Sequence, residues 1–299
     1  MARRRYGAVD PCRPPYIRAS AFPYPRVRRR APYFGRCCAQ APGFARLWRV
    51  FRLAADPRLA ASTRDCDERE YEMPEVIFPG PDGRLEGRYH ETKAKDSPIA
   101  LILHPDPRLG VSMNNRVVYE MHHLFHRLGF TVLRFNFRGV GRSQGQFDHG
   151  VGELSDAAAA LDFLQSMKPD PRECWVAGFA FGAWIGMQLL MRRPELSGFI
   201  SVAPPANTYD FSFLAPCPSS GLVISGAADR IVPSSEVDKF VTKLKTQRGI
   251  TITKKIVPDA NHVFENKVDD LIGELEDYLR MRLGMPPADA DETRAKADD

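Results

Sequence analysis

The sequence has no unbroken apolar run approaching the roughly 20 residues that a membrane-spanning helix requires, so no such span is expected. It has no Cys-x-x-Cys pair and no Cys/His spacing of the zinc-binding kind, although 6 cysteines are present. Cys12, Cys37, Cys38 and Cys66 fall before residue 73, and only Cys174 and Cys217 after it. Neither a metal set nor a disulfide framework follows, and a reducing, cytoplasmic setting is expected. A glycine-rich nucleotide loop is also missing, so no cofactor is expected. Lysine is absent from residues 1–72, which hold 16 Arg against 7 acidic residues, a surplus of nine positive charges. Since the whole chain carries +5, the remainder carries −4. A mildly acidic body gives no sign of a nucleic-acid groove.

The segment 1–72 is also rich in Pro, with 8, and poor in apolar periodicity, which predicts a disordered basic extension. One stretch departs from this. Phe44, Leu47, Trp48 and Phe51 follow helical spacing, with Arg46, Arg49 and Arg52 turned away from them. A basic amphipathic helix of this kind suits a membrane surface or a transit peptide. The Arg-only basicity also suits an inert tail or translated upstream sequence with Met73 as the true start. The remaining composition, 43% apolar and 26% charged over the chain, is that of an ordinary globular protein.

From Glu75 onward strand and helix patterns alternate, which predicts a largely parallel sheet in a single α/β domain over 73–283. An opening hairpin (75–78 and 84–89) turns on Pro79-Gly80-Pro81-Asp82-Gly83. Strands are predicted at 99–103, 130–135, 174–177, 198–202, 221–225 and 250–257. Helices are predicted at 114–128, 152–167, 183–191, 236–244 and 268–283. The acidic, Ala-rich tail 284–299 is expected to fray.

Between the strand at 174–177 and its helix stands Gly178-Phe179-Ala180-Phe181-Gly182. A strand, a tight Gly-x-x-x-Gly turn and a helix make a nucleophile elbow, which presents its central residue for attack on a carbonyl. That residue is Ala180, whose methyl group attacks nothing. Three further stretches follow predicted strands. They are Phe135-Asn136-Phe137-Arg138-Gly139-Val140-Gly141-Arg142-Ser143, then Ser225 to Pro233 containing Asp229, then Pro258-Asp259-Ala260-Asn261-His262. Four such loops in this order resemble the α/β-hydrolase superfamily, and most closely a compact bacterial group with a His-Pro-x-Pro loop, a Gly-Phe-Ser-Phe-Gly elbow and no cap domain.

The resemblance implies that Ala180 occupies the nucleophile position, His262 the base and Asp229 the acid that orients it. It assigns the oxyanion hole to the backbone N–H groups of Phe181 and Asp106, the prolines of His104-Pro105-Asp106-Pro107 having none to donate. The chain departs from the group at Asp106, where a His is expected, and at Val111, where a second Gly is. A carboxylate at 106 is expected to oppose negative charge in the transition state. Ser112, Ser143, Ser201 and Ser225 also lie near the active edge, none on an elbow, and His122, His123 and His126 are read as surface or packing residues. Tyr209, Phe211, Phe213 and Leu214, in the short stretch 203–220, suit either an apolar lip or core packing.

The chain is thus expected to hold a pocket for a small ester or acyl ligand, with serine chemistry severely impaired. An active ester, acyl or peptidase-like hydrolase is the alternative if Ala180 is an introduced change or another residue acts. A non-catalytic ligand- or partner-binding protein is the third reading.

Overall fold

The computed structural model describes residues 74–287 apart from Ala215 and Gln247. The basic extension 1–72, its amphipathic stretch and the tail from residue 288 lie outside the described residues. The strands are β1 (Glu75–Gly80), β2 (Gly83–His90), β3 (Ile99–Leu103), β4 (Thr131–Phe135), β5 (Cys174–Phe179), β6 (Gly198–Val202), β7 (Gly221–Gly226) and β8 (Ile252–Val257). The helices are α1 (Arg116–Arg127), α2 (Val151–Met167), α3 (Phe181–Leu190), α4 (Ser234–Lys245) and α5 (Val268–Leu283). All eight strands share one sheet, in the order β1-β2-β4-β3-β5-β6-β7-β8. The β1–β2 and β2–β4 pairs are antiparallel and the rest parallel.

Every residue of β3 is buried, because the strand is covered on both faces. Its side chains alternate between two cores. Leu101 and Leu103 pack with Leu161 of α2 and Ile185 of α3, while Ala100 and Ile102 pack with Val118 of α1 and Leu275 of α5. Each fully buried aliphatic side chain of this size stabilises the fold by about 1.5–3 kcal/mol. Helix ends follow local chemistry. The Asn115 side chain accepts from the Val117 N–H at the start of α1, and Glu153 reaches back to the Gly150 N–H, 2.6 Å away, at the start of α2.

The chain leaves β3 toward β4 on one side and returns through β5 on the other. A crevice therefore opens beyond the carboxyl ends of β3 and β5, the usual ligand position in such sheets. Between β6 and β7, the described residues of 203–220 hold a single short 3₁₀ turn, Ser212–Leu214, and the stretch is too short for a cap domain. This is the α/β-hydrolase fold without a lid. Its one informative difference from the sequence reading lies at the elbow. The strand extends to Phe179 and the helix begins at Phe181, so the turn narrows to Ala180 alone.

Candidate active site

Ala180 has φ 49° and ψ −113°, a backbone conformation that a residue with a Cβ adopts only when its surroundings impose it. Those surroundings are on both sides. The Ala180 N–H donates to the Val202 carbonyl at 2.9 Å, and its carbonyl accepts from the N–H groups of Ala183 (2.9 Å) and Trp184 (3.2 Å). A Cβ on Gly178 would collide with the Gly182 carbonyl, and one on Gly182 with the backbone oxygens of Leu103 and His104. The two glycines thus let α3 start against the end of β3. Ala180 keeps 9% of its surface exposed. A serine hydroxyl on the same backbone would extend from the position of its methyl.

β7 and β8 are neighbours, so the loops that follow them lie side by side. His262 Nδ1 and Asp229 Oδ2 meet at 2.8 Å. The other Asp229 oxygen accepts from the N–H groups of Ile231 (2.8 Å) and Val232 (2.9 Å). Burial alone would raise the Asp229 pKa, but the bonds from His262 and from these two amides more than offset it and hold the carboxyl below its usual range. An ionised Asp229 requires a proton on Nδ1 of His262, which leaves Nε2 as the basic nitrogen. The His262 ring lies 5.8 Å from that of Phe179, the residue before Ala180, so the pair stands beside the elbow.

The loop after β3 supplies the facing wall. The N–H groups of Asp106 and Phe181 take no acceptor among the described residues. The Asp106 carboxylate, expected to oppose negative charge at the site, is gripped by Arg108. Nε approaches Oδ1 at 3.0 Å, Nη2 approaches Oδ2 at 2.6 Å, and the Arg108 N–H adds a third bond at 2.9 Å. The same guanidinium lies over the Phe147 ring, 4.6 Å from its centroid, and 3.3 Å from the Tyr209 hydroxyl. The repulsion anticipated at 106 is therefore countered locally.

His104 opens the His-Pro-x-Pro stretch, which assigned it no role of its own, and it holds this loop in place. Its Nε2 accepts from the Phe137 N–H at 3.0 Å, which fixes the proton on Nδ1, donated to the Pro105 carbonyl at 2.7 Å. Complete burial pushes its pKa down to about 4, against the raising influence of that carbonyl and of Asp106. The unfolded chain takes up this proton near the ordinary value, so the stability due to neutral His104 is complete above about pH 6.5. It falls as pH drops from there toward 4, by about 3 kcal/mol in all. Urea unfolding across this window should give a proton uptake about one smaller in His104→Gln than in the parent. An unchanged slope would mean that other groups carry the titration. His122 is buried as well, consistent with a packing role.

Three of the four alternative serines are buried, and the half-buried Ser112 stands on no elbow. Ser143 is buried, donating to the Asn136 carbonyl at 2.7 Å and accepting from the Glu86 N–H at 3.0 Å. Ser112 accepts from the Asn114 N–H, and Ser201 and Ser225 are 1% exposed within strands. Burial lifts the Cys174 thiol to about 12, which leaves it inert. The residues proposed for a lip divide. Tyr209 stacks on Trp184 at 4.3 Å near Phe181, whereas Phe211 and Leu214 are buried in the core. A cavity of about 400 Å³ opens beside His262, lined by Ala228, Arg230, Ile231, Asn261 and Val263. Among the described residues no group of three or more His, Cys, Asp or Glu is placed to hold a metal ion, and no helix is long and apolar enough to cross a membrane.

Fold and site together define a lid-less α/β-hydrolase. A family model described as X-Pro dipeptidyl-peptidase (S15 family) matches residues 8–262, and the chain belongs to that family. It is 65% identical to an Agrobacterium tumefaciens protein of unknown function, described as a candidate alpha/beta hydrolase, whose crystal structure superposes with a TM-score of 0.69 over 71% of this chain and 97% of that one. It is 35% identical to a Xanthomonas campestris serine hydrolase without lid, with a TM-score of 0.63 over 71% of this chain and 95% of that one. An uncharacterized Rickettsia prowazekii protein is 49% identical over 211 residues, 69% of this chain and 89% of its own length.

Proposed function

We propose that this protein binds a small ester- or acyl-type ligand at the crevice beside Ala180, and that its serine-based turnover is severely impaired. The observation that carries this reading is the elbow itself. Ala180 holds the strained backbone of a presented nucleophile beside an intact Asp229–His262 pair, and its side chain ends at the methyl. The free N–H groups of Phe181 and Asp106 act as the oxyanion donors. His262 is the base and Asp229 fixes its tautomer. Binding and charge stabilisation survive while the attacking atom is missing.

The family's peptidase name suggests a peptide as the ligand instead. A peptide amino terminus is a cation, and the cavity beside His262 presents Arg230 rather than a carboxylate, which favours the ester or acid. The cysteine usage fits a cytoplasmic setting. A fluorophosphonate probe, which labels activated serines, is expected to leave the parent unlabelled and to label Ala180→Ser. Stoichiometric labelling of the parent would identify another serine as the nucleophile and overturn the reading.

A further inference from the structure

The cavity beside His262 combines three features that narrow the ligand. Its rim is apolar, with Ile231 58% and Val263 52% exposed, an uncommon state for two β-branched side chains facing the same opening. Its volume, about 400 Å³, suits a ligand moiety rather than a single water or ion. Arg230 lines the same cavity as these two apolar residues and His262, and takes no carboxylate partner among the described residues.

The neighbouring acids do not answer that charge. Asp229 is committed on both oxygens, to His262 on one and to the Ile231 and Val232 N–H groups on the other. Glu265 sits behind Asn261, accepting from its side-chain amide at 3.3 Å, and is not part of the lining. By contrast Arg108, in the loop after β3, is already occupied by Asp106. Arg230 is therefore an unanswered, solvent-exposed cation in this cavity, which His262 and the apolar Ile231 and Val263 also line. A guanidinium so placed favours a planar, bidentate anion, which is the geometry of a carboxylate.

Resting on the proposed ester- or acyl-binding reading, we infer that the ligand carries a free carboxylate besides its ester or acyl group, with Arg230 receiving it while Ile231 and Val263 cover the intervening carbons. Monoesters of short dicarboxylic acids are the simplest members of this class. Arg230 then sets specificity and takes no part in bond breaking.

The parent chain is its own non-hydrolysing probe. Isothermal titration of the full-length protein with monohexyl glutarate and with its neutral methyl ester measures the contribution of the charge directly. The monoanion is expected to bind at least about tenfold more tightly, the scale of a charge-assisted pair. Arg230→Gln should remove that preference while leaving affinity for the neutral diester unchanged, and Arg230→Lys should retain part of it. Equal binding of the two esters, or a preference that survives Arg230→Gln, would overturn the assignment to Arg230 and leave the ester-binding reading standing. Failure of both esters to bind would overturn that reading and this inference together.

Discussion

Ala180→Ser is expected to raise kcat/KM for a short-chain nitrophenyl ester by about 10³-fold or more over the parent, the inverse of removing the nucleophile from an otherwise complete triad. The backbone at 180 is already in the presented conformation, held by Val202 on one side and the first turn of α3 on the other, so the hydroxyl arrives without rearrangement. The proposed base, His262, keeps Nε2 free through the Asp229 contact at 2.8 Å on Nδ1. Adding Asp229→Asn to Ala180→Ser should return the rate to within about tenfold of the parent, because the amide favours the wrong tautomer, a loss of order 10⁴ in a serine protease. The measurement is kcat/KM for parent, single and double variants, with melting temperature as the control for folding. A well-folded but inert Ala180→Ser would favour the non-catalytic binding protein. A parent as fast as Ala180→Ser would mean that the elbow is not where the chemistry happens.

Asp156→Ala is expected to cost about 3–5 kcal/mol, the loss seen when one partner of a buried ion pair is deleted. The Asp156 side chain is fully buried and that of Arg138 is 8% exposed. Asp156 accepts from the Arg138 N–H (3.1 Å), from Nε (2.9 Å) and from Nη2 (2.8 Å). Removing it leaves a guanidinium in the core without its hydrogen-bonded partner, answered only through space by Glu153 and by the exposed Asp82, 3.7 Å away. For a domain of this size the melting temperature should fall by about 10 °C. Replacing both residues by leucine should recover much of the loss, since no charge is then left unpaired. A drop of less than about 2 °C in the single variant would show that Glu153, Asp82 and solvent compensate fully.

The sequence by itself determined what neighbours along the chain decide. β3 is buried on both faces because Ile99 to Leu103 offers no polar residue, and α1 is amphipathic because Val117, Val118, Met121, Leu124 and Phe125 recur at helical spacing. The turn at Ala180 was legible because only glycine fits at 178 and 182, a steric constraint that leaves its mark in residue type. The order of the loops carrying Ala180, Asp229 and His262 was legible for the same reason, each following an apolar strand. The tertiary structure alone decided which of these residues meet. Asp229 and His262 are 33 positions apart and touch because β7 and β8 are adjacent in the sheet. His104 reaches the Phe137 N–H across 33 positions because β4 flanks β3, and Arg108 reaches Tyr209 across 101 because β6 lies just beyond β5 on the other side. No local pattern marks such partners. A histidine that anchors a loop, an arginine that quiets an aspartate and a serine that ties two strands have the composition of catalytic residues, and only the packing around them separates the roles.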